Sequence, residues 1–208
     1  MAETGLPFPL EPKSLQEVQA VNLRSPMSPE LAQICEENQF LGEYLDCLPP
    51  TMEMPTFYPE ASRDLKKLGH RNLIYPVKDR LLVHTVSNEE SQRDFHVTIE
   101  PDLTLHLAPL LERVEEELVE YAEEIGAQET DEAREQALLE AINDICTTDP
   151  REDSYRIFVT ERELEGLTYH LRREKMGLGA LHPILQDPHI EDISCSGVGP
   201  VFIEHKIF

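Results

Sequence analysis

Through the segment APLLERVEEELVEYAEEIG, apolar residues recur at helical intervals: Leu110 or Leu111, Val114, Leu118, Tyr121 or Ala122, and Ile125. Glu115, Glu116, Glu120, Glu123 and Glu124 take most of the remaining surface. This predicts an amphipathic helix that ends at Gly126. The pattern returns from Asp131 to about Cys146 through Ala137, Leu138, Ala141, Ile142 and Ile145, behind Thr130 as N-cap. Together the two predict an antiparallel helical hairpin packed on a small sheet. The sheet comes from two β-rich runs, Leu73 to Val86 and Phe95 to Ile99, which flank a polar connection. Phe95, Val97 and Ile99 alternate with His96 and Thr98, giving one buried face and one wet face. Tyr155 to Val159 reads as a further short strand. Thr160 and Glu163 then have capping-box spacing, opening a helix with Leu164, Leu167 and Leu171 in a stripe and Gly177 at its close.

The N-terminal third is patterned differently. Nine prolines fall in the first sixty residues and break that region into short pieces. Ser14 and Glu17 have capping-box spacing ahead of Val18 and Val21, and Ser28 with Pro29 starts a helix whose Leu31, Ile34 and Cys35 share a face. Residues 1–59 therefore read as a linker-like arm with docking helices. A short helix over EASRDLKKL, ended by Gly69, opens the next segment.

At the other end, GLGALHPILQDPHIEDISCSG, Gly177 to Gly197, mixes glycine, proline, acid and imidazole on a hydrophobic skeleton. The glycines let the chain leave the helix, and His182 is pushed out of the helical region by Pro183. Pro183 starts a single turn, and Asp187 with Pro188 caps a second short helix. ISCSG and GPVFIEHKIF read as two strands joined by a tight turn. Asp187, Glu191 and Asp192 lack a base or nucleophile to complete a catalytic constellation. His182, His189, Asp187 and Glu191 lack metal-binding spacing, and His84 and His96 on adjacent strands lack a third ligand. No catalytic or metal residue is assigned. The whole is an α+β chain in three segments: the arm, a first subdomain over 60–159, and over 160–208 a connecting helix with the start of a second α/β subdomain whose remaining strands lie outside the chain. A strand left open at Phe208 tends to pair with something.

Charge narrows the partners. Forty-one acidic residues against eighteen basic leave a net charge of −23, a field that repels phosphate backbones and anionic lipid headgroups. Nucleic acid is not expected as a partner; a basic protein surface is the better one, with plain acidic solvation as the alternative. The glutamate rows of the hairpin read first as solvated faces. Four scattered cysteines make neither CxxC pairs nor a disulfide framework. No basic and apolar leader opens the sequence, and nowhere do eighteen apolar residues run together, so direct membrane insertion is not expected.

The order YHLRREKMGLGALHPILQDPHIEDISCSG, Tyr169 to Gly197, resembles the stretch that precedes the motor in the archaeal branch of the type II and type IV secretion ATPases, the hexameric engines of pilus, archaellum and secretion machines. PVFIEHKIF resembles the strand that follows it there, and DFHVTIEPDL a hairpin strand further upstream. The resemblance implies that Tyr169, Gly177, Gly179, Pro183, Asp187, Pro188, Glu191, Asp192 and Gly197 are structural motif residues. It implies that this region docks on a membrane platform protein at the cytoplasmic side, that subunits self-associate through the ATPase domain, and that ATP and magnesium serve the full-length family. It also gives Arg172 and Arg173 a second reading. Their place in the last helical turns, with Lys175, suits the helix dipole, and ring ATPases add contact with a neighbouring subunit's nucleotide. GxxxxGK followed by Ser or Thr occurs nowhere in the 208 residues, so this chain alone is expected not to hydrolyse ATP. The rival expectation is a stand-alone acidic module that binds or inhibits such a motor.

Overall fold

The computed structural model describes residues 26–78, 80–88, 93–101, 107–151 and 155–208. The helix expected after Ser14 lies outside them. Ser28 starts α1 (Pro29–Glu37), its hydroxyl accepting the N–H of Leu31 at 3.2 Å. Asn38 ends it, donating both its backbone N–H and its side-chain amide to the carbonyl of Ile34. The chain then turns directly into α2 (Gln39–Cys47).

These two helices correct the reading of 1–59 as an arm, at least over its described part. Leu31, Phe40, Leu41, Tyr44, Leu45 and Leu48 are buried against one face of a four-stranded sheet, where Ile74, Leu82, Val86, Val97 and Ile99 complete the core. Proline spacing limits helix length, but it does not stop short amphipathic helices from burying an apolar face. The sheet runs β1 (Thr56–Phe57), β2 (Asn72–Pro76), β3 (Leu82–Asn88) and β4 (Arg93–Ile99) in sequential order. β1 lies parallel to β2, and the other pairs are antiparallel. The run read as one strand from Leu73 to Val86 is two, folded back at a turn in which Arg80 takes a φ of 63° and Val77 donates to the carbonyl of Leu81 at 2.9 Å. The predicted helix after Pro59 is a single 3₁₀ stretch, Arg63–Lys67.

The sheet's second face is not wet. Leu73, Tyr75 and Val83 are buried there with Ala61, Leu65 and Ile207. Ile207 follows a C-terminal hairpin of β7 (Ile190–Cys195) and β8 (Val201–His205), closed by a turn in which Gly197 has a φ of 89°. The chain past Pro183 therefore belongs to the same compact unit as the sheet. This replaces the expectation of a separate second subdomain over 160–208: β8 ends at His205, and Ile207 is buried rather than part of an open strand.

Residues 107–182 form a second compact unit. It holds α3 (Ala108–Leu118), α4 (Ala122–Gly126), α5 (Asp131–Ile145), the short parallel pair β5 (Cys146–Thr147) and β6 (Ile157–Phe158), and α6 (Glu161–Lys175). The hairpin's apolar stripe, Val114, Leu118, Leu138, Ala141 and Ile142, is buried with Leu167 and Leu171 of α6 in a core of this unit's own. The Arg156 guanidinium donates to the carbonyls of Asn143, Asp144 and Cys146, satisfying acceptors that the end of α5 leaves open. The protein is thus α+β, with a boundary that falls inside both of the later segments marked from sequence.

Candidate functional site

The stretch from Tyr169 to Gly197 begins inside α6. The capping box is complete: Thr160 accepts from the Glu163 N–H at 3.2 Å, and the Glu163 carboxylate accepts from the Thr160 N–H at 2.8 Å. Those bonds hold the Glu163 carboxyl below its ordinary range. At the other end the two arginines are committed locally. Arg172 Nε lies 2.7 Å from Glu135, and Arg173 pairs with Glu174 at 3.2 Å while its guanidinium sits 5.9 Å from the centroid of the Tyr169 ring. Both arginines thus have partners within their own unit.

Gly177 sits where a Cβ would come within 2.6 Å of His182 Nδ1 and 2.7 Å of the Arg173 carbonyl, and Gly179 has a φ of 55°. Both glycines are dictated by space or backbone. Contrary to the expectation set by Pro183, His182 is helical (φ −56°, ψ −48°) and opens α7 (His182–Leu185), in which Pro183 is buried. Asp187 caps no helix. Its Oδ1 accepts the His189 N–H at 2.8 Å, and its carbonyl accepts the Ile190 N–H at 3.2 Å, closing a turn that leads straight into β7. An Asp-Pro pair is a sound helix-start signal, but here pairing of Ile190 with His205 overrides it. Glu191 lies at the register shift between Ile190 and Asp192. Glu191, Asp192 and Gly197 are exposed, as is Pro188, whose carbonyl accepts from Lys206 Nζ at 3.3 Å.

Asp187 is the residue of this stretch that enters a site. Its side chain is fully buried beneath the second face of the sheet. The hydroxyl of Tyr75, on β2, donates to Asp187 Oδ2 at 2.6 Å, and His205 Nε2, at the end of β8, lies 3.5 Å from the same oxygen and 3.2 Å from the Tyr75 hydroxyl. His205 Nδ1 accepts the N–H groups of Ile207 at 3.2 Å and Phe208 at 3.4 Å, so the ring carries its proton on Nε2. His96 of β4 completes the group, its ring centroid 6.1 Å from that of His205. The residue is half-buried as a whole, yet its Nε2 is buried and has no hydrogen-bond partner among the described residues.

The electrostatics follow from burial. Desolvation pushes the Asp187 carboxyl up, but the hydrogen bonds from His205, Tyr75 and the His189 N–H outweigh it and hold the group at about 2. Burial, reinforced by the Asp187 charge, drives the Tyr75 phenol well above its usual value. Burial lowers His96 to about 4 against the opposing pull of Asp187. The result is a buried carboxylate held by three hydrogen-bond donors.

His84 does not share this site. It lies on the opposite face of the sheet, with Nδ1 2.8 Å from the Tyr44 hydroxyl and Nε2 2.7 Å from Asn72 Oδ1. His84 and His96 are indeed on adjacent strands, but His84 stands opposite Val97 while His96 stands opposite Thr85, so their side chains leave opposite faces. Sequence reading missed Tyr75 and His205, since nothing in local spacing joins positions that lie 112 and 130 residues from their partners.

No protein-family model matches the chain. Among the described residues no helix is long and apolar enough to cross a membrane. The chain is 31% identical over 194 residues to "Uncharacterized protein MJ0900" of Methanocaldococcus jannaschii, a match covering 86% of this chain and 35% of that protein. It is 28% identical over 113 residues to "Uncharacterized protein MJ1288" of the same organism, covering 53% of this chain and 42% of that protein. The chain therefore matches about a third to two fifths of the length of these archaeal relatives.

Proposed function

We propose that this chain is the N-terminal docking and regulatory region of a hexameric secretion or pilus-assembly ATPase, passing motion between the motor and a membrane platform protein. On this reading it is cytoplasmic and peripheral to the membrane through that partner, and its subunits assemble through an ATPase domain encoded beyond these residues. The observation that carries the proposal is the Tyr169 to Gly197 stretch. Its resemblance to the segment ahead of the secretion motor coincides with a compact connector, in which two constrained glycines lead from α6 into α7 and Asp187 anchors the following hairpin. A relative matched along most of this chain but over 35% of its own length is in keeping with a region of a larger protein.

The test is to clone and purify the reading frame that continues past Phe208. The expected result is a phosphate-binding loop within a few hundred residues, with ATPase activity from the longer product and none from the 208-residue chain. ATP turnover by the 208 residues alone, or a longer product without the loop, overturns the proposal. A naturally separate chain that slows such a motor when added in trans would instead establish the rival acidic module.

A further inference from the structure

The geometry points to a binding site for one zinc-class divalent cation formed by His96, Asp187 and His205. Each offers one ligand atom, from β4, the turn before β7 and the end of β8, and the three atoms lie within 4.8 Å of one another. Bonds of about 2.0–2.1 Å in tetrahedral array place ligand atoms roughly 3.4 Å apart, so contraction by up to about 1.4 Å completes the set.

Two features of the group suit a cation. The buried Nε2 of His96 has no hydrogen-bond partner among the described residues, a loss of about 1–3 kcal/mol when a polar atom leaves water unpaired. The Asp187 carboxylate is fully buried, and its one ion-pair partner among the described residues is His205, whose Nδ1 is occupied as an acceptor. A divalent cation supplies the missing partner to the first and a counter-charge to the second. Two imidazole nitrogens with one carboxylate oxygen favour zinc, cobalt or nickel over magnesium and calcium, which take oxygen ligands. The Tyr75 oxygen, 3.2 Å from His205 Nε2, or a water fills the fourth position. His189 lies beside the group: its ring centroid is 5.7 Å from that of His205, and it lines a cleft of about 720 Å³ with Glu60, Lys66, Glu191 and Lys206.

Loading has a signature peculiar to this site. Coordination through His205 Nε2 displaces the proton held there. Moving it to Nδ1 breaks the long bonds from the Ile207 and Phe208 amides. Binding therefore releases protons or shifts those two amides, and it weakens as pH falls.

The test titrates Zn²⁺ and Co²⁺ into the full chain after chelator treatment. Expected are one equivalent bound, the visible absorption of four-coordinate cobalt, and movement of the Ile207 and Phe208 amide resonances. Because His96 Nε2 has no hydrogen bond to lose, His96→Gln is expected to fold as the parent does while weakening binding at least about a hundredfold. His205→Gln does the same at a cost in stability, and His70→Gln, at an exposed position outside the group, changes nothing. Sub-stoichiometric binding, or stoichiometric binding that survives His96→Gln in a folded chain, overturns the site.

Discussion

His84 shows how much one buried side chain settles. The Asn72 amide donates to the Glu53 carbonyl at 2.9 Å, so Asn72 Oδ1 faces His84 and the imidazole proton sits on Nε2. Nδ1 is then left to accept the Tyr44 hydroxyl. Burial lowers this histidine from 6.5 to about 3. The folded state thus holds the neutral ring while the unfolded chain takes up a proton below about pH 6.5. Stability is present in full above that pH and drains away as pH falls toward 3, because protons bind the unfolded state preferentially. Between about pH 6.5 and 4.5 the loss attributable to His84 is roughly 2 kcal/mol. Urea midpoints measured across that interval should fall more steeply for the parent than for His84→Gln, and equal slopes would show that His84 is not held neutral. The sequence placed His84 and His96 on neighbouring strands, which is as far as alternation can go. It could not say that one faces α2 and the other Asp187, because that follows from which elements cover each face.

Among the elements, capping was legible and covering was not. Ser28, Thr130 and Thr160 each make the N-cap bond that their spacing implied, since a cap depends on residues three apart. The same local logic misread Asp187 and Pro188, where pairing of β7 with β8 decided the outcome. It also divided the chain in the wrong places, because hydrophobic period marks the face an element buries but not its partner. The α1 and α2 pair makes the point measurable. Leu41 is fully buried, in a core shared with Ile74, Val97 and Ile99. Leu41→Ala should therefore destabilise this unit by about 2–5 kcal/mol, the range for cavities in a packed core. Chemical denaturation reads it directly, and a change under about 0.5 kcal/mol would restore the picture of a docking arm.

For the whole molecule, composition governs a property that no single contact reveals. Each compact unit has its own apolar core, while the surface carries the excess behind a net charge of −23. Repulsion is dense from α3 through the 3₁₀ turn Val119–Tyr121 into α4, where Glu112, Glu116, Glu120 and Glu124 are exposed at four-residue intervals, like charges at this helical spacing costing about 0.2–0.5 kcal/mol per pair. Opposing this are exposed pairs such as Lys67 with Asp64, Arg134 with Asp131 and Lys175 with Glu115, each contributing about 0–1 kcal/mol. Salt weakens both, but eighteen cations cannot offset forty-one anions, so screening removes more repulsion than attraction. As the Debye length shrinks from about 30 Å at 0.01 M to about 3 Å at 1 M, Tm should rise. Arg71 with Asp94, at 2.6 Å and largely shielded from solvent, is screened least and holds β4 to the loop before β2 throughout. Sodium chloride is the proper probe, since sulfate strengthens apolar burial by a separate route. A Tm that falls with sodium chloride would mean that ion pairs, rather than self-repulsion, dominate the surface.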